Sequence, residues 1–259
     1  MVTASAVRLR VKEALRWEEG TPRGWRRHLR AFFMRDVDAA LRYGPAIPLA
    51  RRARSVLEVG SGPAGIVPLA GRRVIGVDLS FAGPRHELLR PVRATGARLP
   101  FADATFDLVL CFDVLEHVHP GERAAVAAEL ARVGSGALVI AVPYGPDALA
   151  ADRDARRLHV EVTGEDHRWL SEHEEHGTFD AAGLHALCAA VGRPRVAVLH
   201  YGPIWLWRLL RREEILLRPH LSILRRLLLP IAIGQLWRLP GRRTYRALVQ
   251  FDLARDASR

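Results

Sequence analysis

The stretch "SVLEVGSGPAGI", residues 55–66, decides how this chain is read. A short apolar run carries one acidic residue, Glu58, and then opens into Gly60, Gly62 and Gly65. That glycine spacing fits G-x-G-x-x-G, a turn that lets backbone amides approach a bound nucleotide closely where a first strand passes into a helix. Taken alone the spacing also suits an NAD-dependent oxidoreductase, so the residues around it have to discriminate.

Downstream, short apolar runs alternate with helical stretches, the pattern of a parallel sheet covered by helices. "RVIGVD" (73–78) predicts a second strand ending on Asp78, and "DLVLCF" (107–112) and "ALVIAVP" (137–143) predict later ones. "RVAVLHY" (195–201) and "TYRALVQFD" (244–252) read as the last two. In "PGERAAVAAELARV" (120–133), Val126, Leu130 and Val133 lie on one helical face and Gly134 closes the helix. Residues 178–192 predict another, with Thr178 or Asp180 as cap and Gly192 as stop. The stretch 145–177, rich in Asp, Arg, His and Glu, shows little apolar periodicity and reads as loops and a short helix. "AFFMRDVDAALRYG" (31–44) has helical spacing, with Phe32 or Phe33, Val37 and Leu41 on one side.

The expected fold is α/β: a Rossmann-like, seven-stranded, mostly parallel sheet with helices on both faces. Residues 1–54 would form an N-terminal helical cap and 55–203 the ligand-binding core. Residues 204–243 would form a helical insertion or lid, and 244–259 the final strand and tail.

The 259 residues carry a net charge of +11, distributed unevenly. Residues 1–54 hold 13 basic and 5 acidic side chains and residues 204–246 hold 10 and 2, whereas 55–203 hold 14 and 19. Two basic arms therefore flank a mildly acidic core. Two cysteines, Cys111 and Cys188, are too few for a disulfide framework and agree with a reducing compartment. The absence of a charged start followed by an apolar run points to a cytoplasmic protein. No apolar run near the C-terminus reaches the roughly 20 residues of a membrane span.

The stretch "ARLPFADATFDLVLCFDVLEHVHP" (97–120) supplies the discrimination. With E-x-G-x-G and a second strand ending on Asp78, it resembles the class I S-adenosylmethionine-dependent methyltransferases, in the broad group reading L-P-F-x-D-x-x-F-D, a strand, then D-V-L-E-H. The matching positions are Leu99, Pro100, Phe101, Asp103, Phe106 and Asp107, then Asp113, Val114, Leu115, Glu116 and His117. Glu58 agrees, since a carboxylate suits a sulfonium and an ammonium better than a pyrophosphate. The resemblance implies S-adenosylmethionine as cofactor. Glu58, Gly60, Ser61, Gly62 and Gly65 would hold its methionine end, Asp78 with Leu79 its ribose, Leu99 and Pro100 its adenine, and Phe112 and Asp113 would line the methionine moiety and face the acceptor. Two positions depart from the family pattern: Pro63 stands where a third glycine is frequent, and Thr95 where an adenine-binding Asp is.

Methyl transfer chiefly requires alignment of the acceptor and exclusion of water. A general base is needed when the acceptor is a hydroxyl or a protonated amine. None of the histidines His117, His119, His159, His167, His173 and His176 is singled out by spacing; Asp113 and His117 are weak candidates, and the catalytic residue stays unassigned. "DVLEH" is similar to the acid-x-x-acid-His motif with which quinone-biosynthesis O-methyltransferases hold a divalent metal, but the same letters occur in metal-free relatives and no metal is expected. "HEEH" (173–176) reads as a solvated polar helix.

In the insertion, Trp205, Trp207 and Trp237 interleave with arginines, a composition that suits a lid over an apolar acceptor pocket or a dimer surface. Peripheral contact of 204–239 with the inner membrane surface is the competing expectation. No nucleic-acid module is visible, so nucleic acid is not the expected partner. The expected activity is methyl transfer from S-adenosylmethionine to a small-molecule, lipid-like or glycan acceptor, at oxygen. The alternative is a catalytically inactive cofactor-binding scaffold at a membrane or protein partner.

Overall fold

The computed structural model describes residues 37–216, 236–238 and 243–254. Two short helices, α1 (Val37–Tyr43) and α2 (Ile47–Arg52), precede β1 (Val56–Val59), α3 (Val67–Ala70), β2 (Val74–Asp78) and β3 (Leu89–Arg93). Next come β4 (Phe106–Phe112), a 3-10 turn at Leu115–His117, α4 (Arg123–Val133) and β5 (Gly134–Pro143). Helices α5 (Gly145–Thr163), α6 (Arg168–His176) and α7 (Ala181–Val191) lead to β6 (Arg195–Pro203), α8 (Ile204–Leu216) and β7 (Thr244–Asp252).

The seven strands form one sheet in the order β3-β2-β1-β4-β5-β7-β6. Strands β1 to β5 pair in parallel, and β7 runs antiparallel between β5 and β6. The chain turns away from β1 in one direction toward β2 and β3, then returns on the other side with β4. Beyond the carboxyl ends of β1 and β4 lies the crevice in which open α/β sheets bind ligands.

Both faces of the sheet are covered, so its central strands are apolar on both sides. In β4, Leu108, Leu110 and Phe112 enter one core with α1, α2 and α3, while Val109 and Cys111 enter the other with α4 and α7. In β1, Val56 faces the first core and Leu57 and Val59 the second. By the same alternation Glu58 points toward the face that carries Tyr43 and Ile66.

Strand β3 has no counterpart among the sequence-read strands. It is an edge strand with Pro91 in its middle, and it buries only Leu89 and Val92. The stretch 145–177 is corrected from loops with a short helix to two helices of 19 and 9 residues. The inward face of α5 is made of Ala148, Ala151, Asp152 and Ala155, a helical spacing written in small and charged letters rather than large apolar ones. That face receives Ile204, Trp207 and Tyr245 in a third buried cluster. Trp207 stacks on Tyr245 with ring centroids 4.4 Å apart. Of the expected cap, residues 1–36 with Phe32 and Phe33 lie outside the described residues, as do 217–235 and 239–242 of the insertion.

Asp113, the residue after β4, lies in the left-handed region, at φ 52°. It accepts hydrogen bonds from Arg246 Nε and Nη2 of β7 at 2.8 and 2.6 Å and pairs with Arg42 of α1 at 3.0 Å. Burial opposes the Asp113 charge, but the two guanidinium groups outweigh it and hold the carboxyl below its usual range. Tyr201 of β6 adds a hydrogen bond from its hydroxyl to the Arg42 carbonyl at 2.7 Å.

Removing one partner of a buried pair leaves the others uncompensated, so Asp113→Asn should cost about 3–5 kcal/mol in urea unfolding at neutral pH. A carboxyl held below its usual 3.8 contributes fully above that value and loses its contribution as the pH falls toward the depressed one. Acidification below pH 3.8 should therefore cost the wild type more stability than Asp113→Asn, and equal losses would show that the pair is not formed. Asp180 caps α7 by accepting the Gly183 N–H at 2.8 Å, so Asp180→Ala should lower the urea midpoint by the equivalent of about 1 kcal/mol.

Candidate cofactor and acceptor site

The glycine loop after β1 is built by close approaches. Gly60, at φ 81°, donates its N–H to the Val77 carbonyl at 2.8 Å, and a Cβ there would fall 2.1 Å from the Val114 side chain. Gly65, at φ 52°, lies against Glu58, with a hypothetical Cβ 2.1 Å from Oε2. Gly62, at φ 51°, differs: a Cβ there would meet nothing within 4 Å. Gly60 and Gly65 let the loop pack, whereas Gly62 borders open space. Ser61 is buried and donates its hydroxyl to the Gly62 carbonyl at 3.1 Å.

Glu58 is only 1% exposed, and its Oε2 accepts the Ile66 N–H at 2.8 Å. The carboxylate thus pins the far end of the loop at the entry to α3. Burial raises its pKa against the opposing pull of Tyr43 and the Ile66 amide. The structure places this carboxylate against Gly65 and the Ile66 amide, inside the turn of the loop. Asp78, half-buried at the end of β2, accepts the Gly62 N–H at 2.8 Å and the Ser80 N–H at 3.1 Å. The loop and the β2 carboxylate therefore form one unit at the crevice, a cradle of amides beside an acceptor of hydrogen bonds. Such a cradle fits an adenosyl cofactor.

The remaining residues singled out in the sequence spread around that cradle. Leu79 is 68% exposed just past Asp78. Leu99 is buried with its N–H donated to Glu129 Oε1 at 2.7 Å, and Pro100 beside it is exposed. Phe112 is buried against the Tyr43 ring at 5.1 Å, so only its backbone reaches the mouth of the crevice. The Asp113 side chain is held by Arg42 and Arg246, which leaves it a clamp and not a free base. An open pocket of about 410 Å³ lined by Asp103, Arg132, Gly134 and Leu253 lies at the amino ends of β4 and β5, the opposite edge from the glycine loop.

Next to Asp113, the 3-10 turn and α6 bring a polar cluster together. His117 Nδ1 is 2.9 Å from Glu172 Oε2, and His173 Nδ1 is 2.7 Å from Asp152 Oδ2. Asp152 is itself buried and accepts the Tyr245 hydroxyl at 2.7 Å. The two imidazole rings lie 4.8 Å apart, and Trp169 meets His117 edge-on at 5.0 Å. Glu116 is fully buried, with both carboxylate oxygens unpartnered, and its Oε1 is 3.9 Å from His173 Nε2. Burial and the Asp113 charge push the Glu116 carboxyl up to about 8. Burial and the neighbouring His173 hold His117 down to about 4. Burial also disfavours charged His173, but Asp152, Glu116 and Asp113 outweigh it and raise its pKa.

Other histidines serve elsewhere: His119 accepts the Gly121 N–H at 3.2 Å, and the His159 and His167 rings meet edge to face at 4.9 Å. Sequence reasoning missed Asp152, Arg42, Arg246 and the pairing of His173 with Glu116. "HEEH" did contain His173, but nothing in its spacing pointed to a carboxyl group 57 residues earlier.

Comparison with known proteins agrees with this architecture. A methyltransferase-domain family model matches residues 57–140, which span the glycine loop to β5. A probable S-adenosylmethionine-dependent methyltransferase of Mycobacterium tuberculosis is 36% identical over 101 residues, covering 35% of this chain. The chain spans only 36% of that relative's length. An uncharacterized methyltransferase of Mycolicibacterium paratuberculosis is 30% identical over 226 residues, 78% of this chain and 86% of the relative. Among solved structures, a SAM-dependent methyltransferase from Archaeoglobus fulgidus aligns with a TM-score of 0.51 at 15% identity, over 88% of this chain and all of that one, a likeness of fold. With the glycine loop, the strand order and a relative matched over most of its length, the chain belongs to the class I S-adenosylmethionine-dependent methyltransferases.

Proposed function

We propose that this protein transfers a methyl group from S-adenosylmethionine to an oxygen of a small-molecule, lipid-like or glycan acceptor. The observation that carries the reading is the Gly62–Asp78 unit: a left-handed glycine whose missing side chain leaves open space, hydrogen-bonded to the carboxylate that ends β2. Asp78 would accept the ribose hydroxyls, with Leu79 beside it. Leu99 and Pro100 would flank the adenine, and the loop of Gly60, Ser61, Gly62 and Gly65, pinned from below by Glu58, would hold the methionine end with the Phe112 and Asp113 backbone. The cofactor, when bound, supplies a methyl group on a sulfonium, a carbon already activated for displacement.

The chain's own contribution is enclosure and alignment. β6 runs parallel to β5 through their shared partner β7, so α5 and α8 both leave the sheet at the edge where the glycine loop lies. Helix α8 buries Ile204, Leu206, Trp207 and Leu210 and leaves Trp205 and Leu209 exposed at 55% and 44%. This supports a covering role for 204–243 over an apolar part of the acceptor. No described helix is long and apolar enough to cross a membrane.

Calorimetric titration with S-adenosylmethionine, S-adenosylhomocysteine and NAD tests the reading. Saturable binding of both adenosyl ligands is expected. Loss of charged hydrogen bonds worth about 1.5–3 kcal/mol should weaken it roughly 10- to 100-fold in Asp78→Ala. Binding of NAD alone, or adenosyl binding indifferent to Asp78, would overturn it.

A further inference from the structure

We infer that Glu116, His117 and His173 form a binding site for one divalent transition-metal ion, at the acceptor side of the crevice. One ligand atom from each of the three residues lies within 4.8 Å of the other two. Ideal tetrahedral coordination with bonds of about 2 Å needs ligand atoms about 3.3 Å apart, a contraction within reach of small side-chain rotations. The 3.9 Å between Glu116 Oε1 and His173 Nε2 is already close to that spacing.

Three further observations point to a cation. Both Glu116 oxygens and His173 Nε2 are buried without a hydrogen-bond partner. Unmatched polar atoms at such depth are costly, and a positive ion between them would satisfy all three at once. Each imidazole gives its Nδ1 to a carboxylate, His117 to Glu172 and His173 to Asp152, which leaves Nε2 to carry the lone pair. Histidines that ligate metals are held in this way. Tyr245 in turn fixes Asp152, so the support extends one layer further into the fold.

The donor set of two imidazoles and one carboxylate favours zinc, cobalt or iron over magnesium and calcium, which prefer oxygen ligands. It also differs from the acid-x-x-acid-His reading of "DVLEH", because Asp113 is held by two arginines and His173 takes its place. His117, with its side chain 20% exposed, marks the side from which an ion enters and on which a further ligand position remains open.

The site stands on geometry alone, whereas its role rests on the methyltransferase reading. An acceptor hydroxyl at the open position would have its pKa lowered by the cation. Its proton would pass to solvent and the oxygen lone pair would form the new C–O bond. The C–S bond would break with its electron pair kept by sulfur, leaving S-adenosylhomocysteine.

The test is titration of chelator-treated full-length protein with Co²⁺ alone, followed by d–d absorption, with S-adenosylmethionine affinity and thermal melting measured on the same samples. One Co²⁺ per chain with a protein-ligand absorption band is expected. It should vanish in Glu116→Gln and His173→Ala, weaken about 10- to 100-fold in the partly exposed support variant Glu172→Gln, and persist in the surface control His185→Ala. No stoichiometric species in the wild type, or one that survives His173→Ala or is untouched by Glu172→Gln, would overturn the inference. Co²⁺ binding without adenosyl binding would keep the site and sink the methyltransferase reading; the reverse would do the opposite.

Discussion

The ion cluster around Asp113 holds together parts of the molecule that otherwise share little. One carboxylate at the exit of β4 joins Arg42 of the N-terminal helices and Arg246 of the only antiparallel strand among those described. These groups come from three distant segments, and Tyr201 of β6 brings in a fourth. A buried charge is tolerated only when it is paired and hydrogen-bonded, so the pairing fixes the mouth of the crevice in one arrangement. It also explains why the residue after β4 adopts a left-handed backbone without being glycine: the strain is small beside the cost of an unpaired buried carboxylate.

That constraint shapes what the site can do. With Asp113 committed to arginines, the next acidic residue in the turn, Glu116, is left buried beside two histidines supported by carboxylates of their own. The crevice thus has two chemically distinct sides. On one, the backbone amides of the glycine loop lie beside the Asp78 carboxylate. On the other, two imidazoles lie beside the buried Glu116 carboxyl. Helix α6 and Asp152 of α5 build the second group, and α8 packs on α5 behind it.

Much of the fold was legible locally. The strands at 56–59, 74–78 and 106–112, helices α4 and α7 with their caps, and the glycine loop all follow from patterns a few residues long. Where the reading failed, the signal was of another kind. Strand β3 carries a proline and buries little, and α5 hides its inward face in alanines and an aspartate. Apolar periodicity detects large side chains, and a helix packed closely against neighbours needs small ones.

The sequence by itself determined the fold class, the glycine turn after β1, the strand that ends on Asp78 and the family, because each rests on the identity and spacing of residues close in the chain. It also marked Glu58, whose carboxylate accepts the Ile66 N–H and so ties the loop to the strand that precedes it. Only the tertiary structure decided which side chains meet. His173 faces Glu116, Asp152 orients His173, and Arg246 claims Asp113 across 133 positions, because each contact is set by the packing of whole elements and leaves no periodic trace in the chain.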